Sequence, residues 1–171
     1  RQLIEHEFTD ATLAFTRDLF VFACFTALSF ADIRELTTDD IMDVNGEKWI
    51  ISKRHKTGVP FQVKLLDIPL QIIGKYRPFQ KDNSVFGEIN YWSICKKLKN
   101  VIRECNINKQ ISFHVARHTF GTLALSKGMP IESVSRVLGH TNIKTTQIYA
   151  KITTQKLGND LTAFGNQLNR T

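Results

Sequence analysis

The chain has 171 residues, which is long enough for one domain with a sizeable hydrophobic core. Its formal net charge of +7 favours a polyanionic partner, although a basic protein without such a partner can have the same balance. The three cysteines form no C-x-x-C pair, which argues against a zinc knuckle or a disulfide framework and favours a reducing, cytoplasmic compartment.

The N-terminal residues and the first apolar segment predict no membrane association. Residues 1–7 are charged and do not resemble a signal peptide. The apolar run at residues 19–28 is too short to span a bilayer, so we expect no membrane partner. The chain begins without an initiator methionine, and we therefore expect it to be part of a longer protein.

The first half of the chain predicts two helices followed by three strands. Thr9 or Asp10 is a suitable N-cap for the first helix. The dipeptide Asn45-Gly46 is typical of a type I′ turn and predicts a β-hairpin. The predicted helices are residues 9–28 and 30–36, and the predicted strands are residues 41–44, 48–52 and 59–66.

The second half predicts helices only, so the fold class is mostly α with a small three-stranded antiparallel β-sheet (α+β). Gly128 is placed to end one helix as its C′ residue, and Gly139 to end the next. The final residues, 151–171, are polar and carry only a weak apolar stripe. The predicted helices are residues 69–76, 91–105, 114–127, 131–138 and 145–151, and the stripe consists of Ile152, Leu157, Leu161 and Phe164.

Residues 112–150 contain a set of polar side chains that could act together on a phosphate. His114 and Arg117 stand three residues apart and share one face of the predicted helix. A guanidinium can bind two phosphate oxygens, and an imidazole can donate a hydrogen bond or move a proton. His140 and Tyr149 follow at fixed spacing, whereas His118 is predicted to be structural, one residue off the shared face. Each motif alone is common on ordinary surfaces and in cores; the order of all four is specific.

These segments resemble a known family of enzymes. The runs FHVARHTFGT and LGHTNIKTTQIYA are similar to the catalytic signature of tyrosine recombinases, also called phage-type integrases, and the likeness includes integrases of mobile or conjugative transposons. The segment TALSFADIREL resembles the first conserved box of the family, and RHKTGVP resembles its strand-turn lysine motif. The resemblance covers nearly the whole chain and implies the catalytic-domain fold of the family.

The resemblance also implies a role for five residues. Tyr149 would attack a DNA phosphodiester to give a 3′-phosphotyrosine, while Arg117 holds the phosphate oxygens. Lys56 would protonate the 5′-oxygen that leaves, His114 would assist as base or donor, and His140 would donate to the phosphate. One phosphodiester replaces another, so the reaction needs no ATP, no metal and no other cofactor. Positioned donors are then the main source of catalysis.

The first box departs from the family pattern, because Ser29 stands where an arginine is usual. Losing one such donor typically costs on the order of a hundred- to a thousandfold in rate. Arg17 is our candidate for a substitute, and we group it with Ser29 among the DNA-binding residues. Arg54 and His55 are expected to contact backbone phosphate. Asp32 matches the acidic position of the box, where it would support the site or simply cap a helix.

The resemblance implies that the partner is double-stranded DNA and that the chain assembles on it as a homo-oligomer, a tetramer. It also implies that the protein acts in the bacterial cytoplasm, at the nucleoid. Residues 1–171 would be the catalytic domain without the separate N-terminal DNA-clamping domain, so binding should be weak and should weaken with salt. Residues 151–171 would pack on a neighbouring protomer, or would be a frayed terminus. Alternative functions are a non-catalytic DNA-binding module of the same fold and a type IB topoisomerase-like enzyme; a metal-dependent nuclease is less favoured.

Overall fold

The computed structural model describes residues 2–80, 82–150 and 154–168, with the side chains of residues 154–156 left out. It confirms the predicted fold class, a mostly helical chain with one three-stranded antiparallel sheet. No helix in these described ranges is both long and apolar enough to cross a bilayer. The helices are α1 (Gln2–Glu5), α2 (Ala11–Thr26), α3 (Phe30–Arg34), α4 (Asp67–Tyr76), α5 (Tyr91–Glu104), α6 (Phe113–Ser126), α7 (Ile131–Leu138), α8 (Lys144–Gln147) and α9 (Thr154–Leu168), and the strands are β1 (Ile41–Val44), β2 (Glu47–Lys53) and β3 (Pro60–Lys64).

Helix α2 is the centre of the core and packs against α4, α5 and α6. Asp10 is its N-cap, since the carboxylate accepts from the backbone N–H of Thr12 at 2.7 Å. Leu19 and Phe22 are completely buried, and each such side chain stabilises the fold by about 1.5–3 kcal/mol. The helix ends at Thr26 rather than at residue 28, because Ala27 adopts a left-handed conformation with φ of 57°.

The sheet has the strand order β1-β2-β3. Asn45 and Gly46 have φ values of 55° and 79°, which confirms the predicted type I′ turn between β1 and β2. The carboxylate of Asp43 accepts from the N–H of Gly46 at 2.9 Å and stabilises this turn. Ile50 and Val63 face each other across β2 and β3 and are buried in the core, so the sheet is attached to the helices by one face.

Two separate apolar clusters support the two halves of the domain. The larger one gathers α2, the sheet, α4 and α5. The smaller one is built from Ala27, Leu125, Val134 and Leu138, and the ring of Tyr149 packs against it. The C-terminal helices also pack directly on the rest of the domain, α6 against α2 and α7 against β3.

The chain differs from the sequence-based prediction most at its C-terminal end. Residues 154–168 form the helix α9, so this part of the tail is helical rather than frayed. Its apolar side chains at Leu157, Leu161 and Phe164 are each at least half exposed, and they lie outside both clusters. Ile152, which the predicted stripe includes, lies outside the described residues, as do residues 151 and 169–171.

Candidate active site

Helix α6 presents two histidines and a glycine on one stripe that faces Tyr149. His114 and His118 are four residues apart, and their Nε2 atoms lie 2.7 Å from each other. The prediction that His118 lies off the active face is wrong. On a helix, a spacing of four residues turns by about 40° and a spacing of three by about 60°, so His118 is as close to His114 as Arg117 is.

Arg117 joins the loop after α2 to the end of α7. Its Nη1 donates to the carbonyl of Ala27 at 2.8 Å, and its Nη2 donates to the carbonyl of Leu138. Burial, together with the charge of Arg54, lowers the pKa of Arg117 to about 10, so the guanidinium remains charged at neutral pH. A cation is thus held at the junction of the two clusters.

Arg54 follows β2 and lies beside Arg117. Its Nη1 donates to Asp32 Oδ2 at 2.8 Å and to the carbonyl of Ala27 at 3.3 Å, so both guanidinium groups bind the same carbonyl oxygen. Its planar group also lies 4.0 Å above the centre of the Phe61 ring. Only 6% of Arg54 is exposed, so it lies inside the protein and not at the surface, where a contact with backbone phosphate would place it.

Ser29 and Asp32 cap α3 reciprocally. The N–H of Asp32 donates to Ser29 Oγ at 3.2 Å, and the N–H of Ser29 donates to Asp32 Oδ2 at 3.0 Å. Asp32 also accepts from Arg54 and, at 2.9 Å, from the backbone N–H of His55. Burial raises the pKa of Asp32, but these hydrogen bonds and the Arg54 charge outweigh it and hold the pKa below its ordinary value. The expectation that Asp32 caps a helix is therefore confirmed, and its carboxylate also binds Arg54 and the backbone of His55.

Tyr149 lies against the stripe of α6. Its ring centroid is 5.2 Å from that of His118, and the rings meet edge to face. A Cβ atom added to Gly121 would stand 2.9 Å from Cδ2 of Tyr149, so glycine is the residue that leaves room for the phenol. Burial raises the pKa of Tyr149 and the charge of Arg117 opposes this rise, so the phenol is protonated at neutral pH.

His140 follows the left-handed Gly139 that ends α7. Its Nδ1 lies 2.9 Å from Oγ1 of Thr146, which is completely buried in α8. Burial lowers the pKa of His140, and the charges of Arg117 and Arg54 lower it further. A half-buried, neutral imidazole results, with its ring fixed by α8 shortly before Tyr149.

Lys56 and His55 lie in the exposed turn between β2 and β3. The turn is closed by a hydrogen bond of 2.7 Å from the N–H of Gly58 to the carbonyl of Arg54. Its base is attached to Asp32 through the backbone of His55. The Lys56 side chain is exposed and lies two residues after the buried Arg54.

The structure does not bring Arg17 to this site. Arg17 lies ten residues before Ala27, which is roughly 15 Å along a helix. Its side chain donates to the backbone carbonyls of Leu3 and His6 and pairs with Asp18. It therefore ties the N-terminal segment to α2.

Sequence comparison decides the family. The model of the phage integrase family matches residues 1–156. The chain belongs to the phage integrase family. Among curated relatives, the tyrosine recombinase XerA of Saccharolobus solfataricus is 31% identical over 127 residues, covering 74% of this chain and 43% of the relative. The tyrosine recombinase XerD of Listeria monocytogenes is 42% identical over 67 residues, which cover 39% of this chain and 22% of the relative. This chain therefore spans less than half the length of these two relatives.

Solved structures confirm the fold of this phage integrase family member. The XerH site-specific recombinase bound to difH substrate superposes with a TM-score of 0.72 at 21% identity, over 95% of this chain and 50% of that one. The Tn1549 transposon integrase in complex with a circular intermediate DNA superposes with a TM-score of 0.71 at 17% identity, over 91% of this chain and 60% of that one. The catalytic domain of bacteriophage HP1 integrase gives 0.63 at 21%, over 88% of both chains.

Sequence reasoning names two polar groups of this phage integrase domain, Arg54 and His118, but not where they lie. The burial of Arg54 was missed because its partners are distant in sequence: Val137, whose carbonyl it binds at 2.5 Å, is 83 positions away. An available signal was Asp32, an acidic residue in a box that has lost its arginine. His118 was identifiable from helical geometry, since it is four residues from His114.

Proposed function

We propose that the chain is the catalytic domain of a site-specific DNA recombinase that works through a phosphotyrosine intermediate. The observation that carries the proposal is the approach of Tyr149 to the charged Arg117, beside His114, His118 and His140. A phenol needs a cationic environment or a base to attack at neutral pH, and a transferring phosphoryl group needs donors around its oxygens. Both requirements are supported by groups that α6, α7 and α8 hold close together.

In the proposed reaction the phenolic oxygen of Tyr149 attacks the phosphorus of one DNA strand. A bond between phosphorus and Tyr149 Oη forms, the bond to the 5′-oxygen breaks, and the phenolic proton passes to a base. The 5′-oxygen takes a proton from Lys56 and leaves as a hydroxyl. Attack by another 5′-hydroxyl reverses these steps and joins strands, so one ester bond is exchanged for another and no metal or nucleotide enters.

Arg117 would hold the non-bridging oxygens, and its two carbonyl contacts fix its orientation. His140, neutral at pH 7, would donate a hydrogen bond to the same phosphate. His114 is the exposed member of the histidine pair and would act as base or donor. These assignments follow the family signature residue by residue and agree with the exposure of each side chain.

We further propose that Arg54 supplies the charge that the first box lacks. It lies behind Arg117 and binds the same Ala27 carbonyl, so its positive charge acts on the phosphate through a protein interior where screening is weak. Asp32 and the Phe61 ring hold its guanidinium in place. Arg54 is thus a positioning residue, because it orients Arg117 and does not itself touch the substrate.

The proposed partners are double-stranded DNA and further copies of the chain. XerH and the Tn1549 integrase were solved with DNA, and the chain shares their fold. The exposed apolar face of α9 is suited to packing on a neighbouring protomer, which would make assembly of a tetramer on DNA cooperative. We expect such a recombinase to act where genomic DNA lies, in the bacterial cytoplasm.

The test uses duplex DNA with a nick and a randomised sequence on either side of the cleavage position. A 5′-bridging sulfur replaces the leaving oxygen, so that cleavage cannot be reversed and the adduct accumulates. We expect a covalent protein–DNA species on denaturing gels with the wild-type chain, with and without EDTA. Tyr149→Phe should give none, because the ring remains and the nucleophilic oxygen is lost.

Each alternative function predicts a different outcome. DNA binding without any adduct would support a non-catalytic module of the same fold. Relaxation of supercoiled plasmid without sequence preference among the recovered adducts would support a type IB topoisomerase. Cleavage that disappears in EDTA would support a metal-dependent nuclease; among the described residues no group of three or more histidine, cysteine, aspartate or glutamate side chains could hold a metal ion.

A further inference from the structure

His118 contacts two groups of the proposed reaction at once. Its Nε2 lies 2.7 Å from Nε2 of His114, and its ring meets the Tyr149 ring edge to face at 5.2 Å between centroids. It is half-buried, whereas His114 is exposed. His118 therefore stands between the residue that can reach a phosphate and the residue that attacks it.

The distance within the histidine pair (His114 and His118) allows only one hydrogen between the two Nε2 atoms. Two nitrogens 2.7 Å apart share one hydrogen, so one donates it and the other accepts. A second hydrogen between them would place two donors face to face. While the pair is closed, Nε2 of His114 is occupied, and only its Nδ1 is available to another group.

The surroundings of His118 disfavour its cationic form. Burial lowers the pKa of His118, followed by the charges of His114 and of Arg117 on the same helix. From the neighbouring elements, His140 after α7 and the phenol of Tyr149 after α8 face it. None of these neighbours is an anion at pH 7 that would stabilise a positive charge on His118, so His118 stays neutral and one of its ring nitrogens carries a hydrogen.

We propose that His118 is a positioning residue of the cleavage step, which orients His114 through the shared hydrogen and holds the Tyr149 ring against Gly121. In the first link His118 donates to Nε2 of His114, so His114 carries its own hydrogen on Nδ1, the nitrogen left for the substrate. The other link keeps the phenol from rotating away from α6. The first link is a property of the free chain, whereas the effect on cleavage rests on the function proposed above.

Two substitutions separate the two links. His118→Gln keeps a side-chain donor within reach of His114 but loses the aromatic edge. His118→Phe keeps the aromatic contact with Tyr149 but removes both nitrogens. Ser126→Ala, at the exposed end of the same helix, is the matched control because its hydroxyl bonds only the carbonyl of Leu123 in the described structure.

The first measurement needs no DNA. Nitrogen NMR of the imidazole rings reports which nitrogen of each histidine carries the hydrogen. At pH 7.5 or so, where free imidazole is neutral, we expect one tautomer for His114 in the wild-type chain and in His118→Gln. His118→Phe should give a mixture of both tautomers, as in a free imidazole. An unchanged His114 tautomer in a folded His118→Phe chain would overturn the inference.

The second measurement is the rate of adduct formation against pH on the sulfur-bridged DNA described above. Misplacing a reacting group by an ångström can cost about a hundredfold, so His118→Phe should slow cleavage by up to that factor and move its pH profile. His118→Gln should keep the pH profile of the wild-type chain but cleave at a lower rate. Equal rates and profiles in the wild-type and Phe chains would overturn the inference while leaving the recombinase function intact. If the wild-type chain forms no adduct, the proposed function fails and the NMR result alone decides whether the pair exists.

Discussion

Arg54 is a buried charge with three kinds of partner. Its guanidinium binds the carboxylate of Asp32 and two backbone carbonyls, and it lies over the face of the Phe61 ring. Its Nε has no hydrogen-bond partner among the described residues, so the arrangement is not a perfect fit for an arginine. A buried ion pair is weak evidence for stability by itself, since burial of both charges costs much of what their attraction returns. Removing only one partner is strongly destabilising, because it leaves the other charge buried and unpaired.

We therefore predict that Arg54→Ala lowers the free energy of unfolding by about 3–5 kcal/mol. The double variant Arg54→Leu with Asp32→Asn should lose less than Arg54→Ala, since no charge is left unpaired and an amide oxygen can still accept from the Ser29 N–H. Urea unfolding of the three chains, followed by circular dichroism, measures the differences. Equal loss in the single and double variants would mean that the ion pair is not what holds Arg54.

Asp32 should make stability depend on pH in the acid range. Its pKa is below the ordinary value in the folded chain, so the folded state binds fewer protons than the unfolded state. Its contribution is present above the unfolded pKa of about 3.9 and is lost as pH falls through the lower folded pKa. We predict a steeper loss of unfolding free energy below about pH 4 in the wild type than in Asp32→Asn. Parallel curves would contradict this.

Lys56 can be tested by changing the leaving group. A thiolate is a far better leaving group than an alkoxide, since a thiol has a pKa near 8.5, so a 5′-bridging sulfur needs no proton from an acid. We predict that Lys56→Ala slows adduct formation on ordinary DNA by about 10²- to 10⁴-fold and leaves it nearly unchanged on sulfur-bridged DNA. Lys53→Ala, also exposed and at the end of β2 three residues before Lys56, is the control and should affect neither substrate. Equal slowing on both substrates would exclude Lys56 as the acid.

At the scale of elements, α6 contains a glycine that lowers the stability of the helix and leaves space for the ring of Tyr149. Gly121 lies in the interior of the helix, where glycine costs about 1 kcal/mol relative to alanine. A Cβ at this position would meet the Tyr149 ring at 2.9 Å. The glycine is therefore explained by the packing of Tyr149 and not by the helix itself.

Gly121→Ala should consequently separate stability from activity. We predict a helix at least as stable as the wild type and a rate of adduct formation lower by up to about a hundredfold, because the phenol is displaced. Gly74→Ala in α4 is the matched control, since no atom lies within 4 Å of its added Cβ and its backbone is helical. That change should stabilise the chain without altering cleavage. An active Gly121→Ala chain would show that Tyr149 leaves α6 before it reacts.

Elements that depend on near neighbours in the sequence were predictable, and those that depend on distant ones were not. The Asn45-Gly46 turn requires two residues with positive φ, and the dipeptide alone indicates them. The end of α2 was less predictable, because Ala27 is a good helix former that adopts φ of 57° only where Arg54 and Arg117 bind its carbonyl. The same distant contacts explain why Arg17 looked like the better substitute for the missing arginine.

At the scale of the whole molecule, α9 is the element that the domain does not use for its own core. Sequence analysis found its apolar stripe but predicted no helix, because the segment is polar and the stripe is weak. Leu157, Leu161 and Phe164 fall on one face at spacings of four and three residues, and each is at least half exposed. A helix with such a face is suited to a partner surface, and the proposed oligomer on DNA supplies one.

A charge on this face should therefore affect assembly and not folding. We predict that Leu161→Asp leaves the free energy of unfolding within about 0.5 kcal/mol of the wild type, as expected for an exposed position. It should abolish cooperative binding of several copies to DNA, because an unpaired carboxylate would be buried in the interface between protomers. Asn159→Asp adds the same charge to the same helix, about 200° around its axis from Leu161, and is the control. Sedimentation of each chain with duplex DNA measures the number of copies bound. Large complexes that persist with Leu161→Asp and not with Asn159→Asp would assign the interface to the opposite face of α9.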